Sequence, residues 1–193
     1  MNFKQVVAPL FLAGGLLASP LLIADDYAFD VENKHSFVQF RVQHLGYSWL
    51  YGRFNEFDGN FSFDEASPDK AAVNVTIKTA SVDSNHAERD KHLRSEDFLD
   101  VDKFPEATFK STAYKPAENG KGVIEGELTL RGVTKPVSIE VEQIGTGEDP
   151  WGGYRRGFEG RAQFKMADFG ITKDLGPASQ VVEMILSVEG IKQ

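Results

Sequence analysis

The sequence predicts an all-β, antiparallel fold of about eight strands, arranged as an up-and-down barrel or a sandwich, with one short helix. Three observations predict it. Apolar and polar residues alternate through most of the chain, turn chemistry punctuates the alternating segments, and a single polar stretch has helical spacing instead.

The first element is not part of that fold. Residues 1–24 have the layout of a secretory signal peptide: Lys4 in a short n-region, an apolar run over 6–17, Pro20, and Ala24 before Asp25 and Asp26. The rival is a retained anchor, because the uncharged stretch 5–24 approaches the roughly 20 residues that span a bilayer. Its two Gly and two Pro and its acidic flank argue for cleavage, after which no stable membrane insertion is expected.

Residues 25–193 are then one domain, a size at which a split would leave two small cores. Hydrophobic residues make up 41%, enough for a core. The net charge is −8, and losing Lys4 with the leader leaves 20 bases against 29 acids, or −9. Bulk attraction to nucleic acid or to anionic lipid heads is therefore not expected. The chain has no Cys, which excludes disulfides, thiol nucleophiles and thiolate metal sites.

Period two runs through six segments cleanly. Val38, Phe40 and Val42 alternate with Gln39, Arg41 and Gln43. The same pattern holds for Val73, Val75 and Ile77; for Ile124, Leu128 and Leu130; for Val137, Ile139 and Val141. It returns with Phe158, Ala162, Phe164 and Met166, and with Val182, Met184, Leu186 and Val188. Two more segments, 59–64 with Phe61 and Phe63 and 107–114 with Phe109, fit less cleanly. Each such strand has one apolar and one wet face, as antiparallel sheets do. Glu118-Asn119-Gly120, the 131–136 run and 145–153 supply the turns.

The stretch 84–94 reads as the helix, capped by Ser84 or Asn85. It is too polar for a core and is expected on the side or end of the barrel. His86 and Asp90, and Glu88 and His92, are spaced i, i+4 and could chelate a metal, but ion pairing on a charged surface accounts for them. No metal site is expected. Arg89, Lys91, His92 and Arg94 form a basic cluster that either receives an anionic head group, with Arg89, His92 and Arg94 as the candidates, or is a solvated helix face. His44 points inward by parity, to hydrogen-bond a ligand or to satisfy a buried carbonyl. Tyr47, Trp49 and Tyr51 alternate beside two Gly and could line a tunnel mouth, form a dimer surface or simply pack.

Motifs for catalysis or cofactors are missing. There is no GxSxG, HExxH, P-loop or GxGxxG, and Asp168-Phe169-Gly170 stands without the rest of the kinase signature. No enzyme activity and no cofactor are expected. The alternative is an enzyme acting on a lipid head group through His44, His86 or His92 and a carboxylate; a third reading is a ligand-free, stress-related partner protein.

The ordered strings resemble the YceI family of periplasmic polyisoprenoid-binding proteins. They include His44-Leu45-Gly46-Tyr47-Ser48-Trp49-Leu50-Tyr51-Gly52, Arg89-Asp90-Lys91-His92-Leu93-Arg94-Ser95 and Gly126-Glu127-Leu128-Thr129-Leu130-Arg131-Gly132-Val133-Thr134-Lys135-Pro136. Asp149-Pro150-Trp151-Gly152-Gly153 and Asp168-Phe169-Gly170-Ile171 follow. The resemblance implies an eight-stranded antiparallel lipocalin-like barrel in the periplasm with an apolar tunnel. It also implies a polyisoprenoid or quinone-like lipid as partner, no nucleic acid, and a possible homodimer. The expected tunnel residues are Val38, Phe40, Val42, His44, Trp49, Phe61, Phe63, Val75, Ile77, Phe109, Leu128, Leu130, Ile139, Phe158, Phe164, Met184 and Leu186.

Overall fold

The computed structural model describes residues 24–193, so the signal-peptide expectation lies, but for Ala24, outside the described residues. The strands are β1 (Asp25–Phe29), β2 (Phe37–His44), β3 (Ser48–Phe54), β4 (Phe57–Phe63), β5 (Ala72–Lys78), β6 (Val82–Asp83), β7 (Glu106–Pro116), β8 (Lys121–Leu130), β9 (Val133–Glu148), β10 (Tyr154–Lys165) and β11 (Val181–Lys192). The helix α1 (Ala87–Arg94) follows β6.

Eleven segments make eight positions in a closed antiparallel barrel, because three positions are broken. β11 closes the ring against both halves of the first position. Its start pairs with β2 (Val182 opposite Val42) and its end with β1 (Gly190 opposite Phe29). β3 and β4 form the second position, pairing with β2 and β1. β5 and β6 form the third. From β7 to β11 the strands are unbroken neighbours in chain order. Of the open alternatives, then, it is the barrel that forms and not the sandwich.

Each break has local chemistry. After β1 the chain loops out over 30–36, where Asp30 Oδ1 accepts from the Asn33 backbone N–H and side-chain Nδ2, and Lys34 takes φ +60°. Between β3 and β4, the Asn55 N–H bonds the Ser81 carbonyl and the Glu56 N–H bonds Ser81 Oγ. Thr79, between β5 and β6, is buried and donates from Oγ1 to the Phe104 carbonyl at 2.7 Å. Bulges re-aim side chains elsewhere. A register shift between Ser111 and Ala113 puts Phe109, Ser111 and then Tyr114 on the inner face, and one at Gly157–Phe158 leaves Ile144 unpaired and exposed.

The helix is shorter than 84–94, and its cap is neither Ser84 nor Asn85. His86 caps it, Nδ1 accepting from the Arg89 N–H at 3.2 Å. Ser84 is not free to cap because Asp90, buried on the helix, accepts from both its N–H and its hydroxyl. α1 lies beside β6 at the end of the barrel that carries the 44–48 hairpin.

Candidate functional site

Two apolar clusters fill the barrel unequally. One, around Tyr27, Phe29 and Phe61, packs the end where β1 starts and β11 finishes, with Tyr27 stacked on Phe61 at 4.7 Å. The other, with Val38, Phe40, Phe98 and Phe169 among its members, packs toward the helix end. Between and within them is a cavity of about 790 Å³ whose lining is overwhelmingly apolar. Of the side chains assigned to a tunnel by parity, all except Trp49 line it.

So many inward rings could have filled the lumen. Glycine is why they do not. A Cβ on Gly52 would overlap the Phe40 ring; on Gly59, Phe29; on Gly122, Tyr114; on Gly126, Phe109; on Gly190, Phe61. Each ring occupies the space that a β-carbon on the facing glycine of the wall would need. Phe40 and Gly52 are direct cross-strand partners.

Most of the exposed lining residues, His44, Leu45, His92 and Asp174, gather at the helix end, beside Gln43 on the β2–β3 hairpin, Arg89 and Leu93 on α1 and the 174–179 loop, which makes this end the mouth. Ser179 Oγ donates to the Gln43 carbonyl at 2.6 Å and ties that loop to the hairpin. His44 is on this rim, exposed. Arg89 donates from Nε to Ser84 Oγ at 2.7 Å and from Nη2 to the Ser84 carbonyl at 2.5 Å. Among the described residues its Nη1 has no hydrogen bond, so donors remain for a polar group at the mouth. His92 Nε2 meets Asp97 Oδ2 at 2.7 Å, and Lys173 holds the same carboxylate. Asp97 is pulled below the usual carboxylate range, Lys173 contributing most and His92 next.

Two candidates sit elsewhere. Trp49 is on the outer face of β3, with the Arg41 guanidinium 4.0 Å above its ring; Leu50 takes the inward slot. Arg94 faces the sheet, donating to the Ala80 and Val82 carbonyls, and so pins α1 rather than lining the mouth. Tyr47 and Tyr51 are exposed and do not line the cavity either. Lining residues missed in the sequence include Leu50, Phe54 and Tyr114. Parity from Val42 across the hairpin could have found Leu50; only the bulge explains Tyr114.

On the outer wall, Asp30, His35 and Glu189 place ligand atoms within 4.8 Å of one another. Arg155 already occupies that space. Its Nη1 donates to Asp30 Oδ2 at 2.6 Å and to Glu189, and its Nε donates to Asp149 at 2.7 Å. A guanidinium among three carboxylates makes this an ion-pair lock, with a charge that opposes a bound cation.

By its shape the molecule belongs to the class of small closed antiparallel β-barrels, here built around an apolar cavity. Comparison with known proteins agrees on the particular kind. The YceI-like domain matches residues 29–190, and the chain belongs to that family. It is 60% identical over 190 residues to a UPF0312 protein of Pseudomonas aeruginosa, covering 98% of this chain and 99% of that one. A UPF0312 protein of Serratia proteamaculans is 57% identical, with 98% of each covered. Among solved structures, the YCEI protein of Campylobacter jejuni superposes with a TM-score of 0.71 at 30% identity, covering 79% of this chain and 90% of that one. A polyisoprenoid binding domain from Saccharophagus degradans shares the fold at TM-score 0.62 and 16% identity, covering 86% and 98%.

Proposed function

We propose that the barrel is a periplasmic binding or carrier protein that holds the chain of a long amphiphile, polyisoprenoid or quinone-like, in its lumen. The observation that carries this reading is the cavity of about 790 Å³, apolar along its walls and open at one end to polar side chains. Burial of hydrocarbon is worth about 0.8 kcal/mol per CH₂. Ten carbons would supply roughly 8 kcal/mol before the costs of ordering the chain. The solved polyisoprenoid binding domain of the same fold supports the ligand class. The leader pattern of residues 1–24 supports export, which the N-terminal mass of the mature protein checks.

The polar head sits at the mouth, where Arg89 has unspent donors. No catalytic step is assigned. Organic extraction of the purified protein followed by mass spectrometry should yield a lipid with a long unsaturated or branched tail. Arg89→Met should retain the tail class and lose selectivity among head groups. Repeated extraction of nothing, together with failure to bind any added amphiphile, overturns the reading.

A further inference from the structure

The mouth decides what enters, but the other end decides how much chain fits. Along β10 the inward positions Phe158, Gly160, Ala162 and Phe164 all line the cavity. The next inward position toward the far end is Arg156, a cation only 4% exposed that does not line it. Its Nη1 donates to Gln143 Oε1 and its Nη2 to Glu65 Oε1, both at 2.7 Å. Its guanidinium lies 4.4 Å from the ring of Phe63, which does line the cavity. The Arg156 Nε and the neighbouring Tyr27 hydroxyl are both buried without a hydrogen-bond partner among the described residues.

An apolar plug and a charged plug fill space equally, yet they act differently on a hydrocarbon chain. An apolar floor can part and let a tail worm between its side chains. A buried guanidinium with one nitrogen already unpaired cannot be stripped of more polar contact without a large penalty. The chain therefore stops at the Phe63 layer rather than threading the barrel.

We propose that Arg156, held by Gln143 and Glu65, is the specificity-determining floor that sets the maximum chain length the barrel accepts. This rests on the lumen being the lipid site. Of its two partners, Glu65 is on the 64–71 loop and is largely exposed, so the floor is latched from outside the barrel wall.

The test is a homologous series of straight-chain alkan-1-ols displacing a fluorescent apolar probe from the delipidated full chain. For the wild type, affinity should rise about fourfold per added methylene and then level off at one chain length. Arg156→Ala should move that break to chains several carbons longer. Glu65→Ala, which alters an exposed side chain only, should move it the same way by less. An unchanged break in Arg156→Ala overturns the proposal, as does an unchanged break in Glu65→Ala where Arg156→Ala does not fold. Failure of the wild type to bind any member of the series instead overturns the lipid reading itself, and the floor with it.

Discussion

At the mouth of the barrel, Arg89 is held by two hydrogen bonds to one serine and keeps donors free. At the far end, two consecutive arginines on β10 have little left to offer. Arg156 faces in and bridges Gln143 and Glu65; Arg155 faces out and gathers Asp30, Asp149 and Glu189. The same strand alternation that lines the lumen sends these two guanidiniums to opposite sides of one wall. One end is thereby locked from inside and outside while the other stays adaptable. Rigidity and access are separated along the barrel axis, the division that the proposed lipid-holding role calls for.

The largest expected effect comes from opening the outer lock. Asp30 is almost fully buried, so Arg155→Ala leaves its carboxylate without its cation. Removing one member of a buried pair costs about 3–5 kcal/mol. Urea unfolding should show that loss, whereas Arg89→Ala should cost about 1 kcal/mol or less. Similar losses at both ends would erase the contrast.

Acid offers a second way in. Burial alone would raise the Asp30 carboxyl, but the hydrogen bond from Arg155, with those from Asn33 and His35, outweighs it and holds the group at about 2. A carboxyl depressed in the folded state stabilises the fold above its unfolded value of about 4, and that contribution fades as pH falls through about 2. The amount is about 2 kcal/mol. Unfolding free energies measured from pH 6 down to pH 2 should fall more steeply for the wild type than for Asp30→Asn. Parallel slopes would remove Asp30 from the lock.

Between the ends, the glycines allow a sharper test of what keeps the lumen open. The nearest atoms to an added Cβ at Gly52 all belong to the Phe40 ring, which can swing inward. At Gly126 the added atom also meets the Lys110 backbone carbonyl at 2.6 Å, which cannot yield cheaply. Gly126→Ala should cost about 1–3 kcal/mol in stability. Gly52→Ala should fold nearly as well and lose room for about two methylenes, which is roughly fifteenfold in affinity for a lumen-filling alkanol. Equal ligand affinity in Gly52→Ala and wild type would show that the ring is not what borders the ligand.

Much of this was legible in the residues. The eight alternating segments correspond one to one with the eight barrel positions. What escaped is the division of the first three. β1 is only five residues with an acidic start, and β6 only two, so neither shows a period. β3 hides its alternation because two of its large residues, Trp49 and Tyr51, point outward, and a glycine, Gly52, interrupts the inward slots between Leu50 and Phe54. An inward glycine reads as a turn signal in a sequence, yet in the barrel it is a seat for an aromatic ring. The floor was hidden for a related reason. Arg155 and Arg156 are adjacent charges with no apolar neighbour between them, and only the register of β10 tells which one faces in.

Trp49 makes the smallest and most discriminating prediction, because size and hydrophobicity argue for burial and the structure places it outside. Its visible partner is Arg41, which is also paired with Glu183 at 2.7 Å. A cation–π contact of this exposed kind is worth about 0.5–1 kcal/mol. Trp49→Ala should therefore cost no more than about 1 kcal/mol and leave retained lipid unchanged. Leu50→Ala, one residue along and facing the lumen, should alter lipid retention. Two neighbouring residues of one strand would then divide surface from site, with the larger side chain on the side that does not bind. Loss of lipid from Trp49→Ala, measured by extraction and mass spectrometry, would place the ligand contact on the outer face and break the inside–outside assignment of β3.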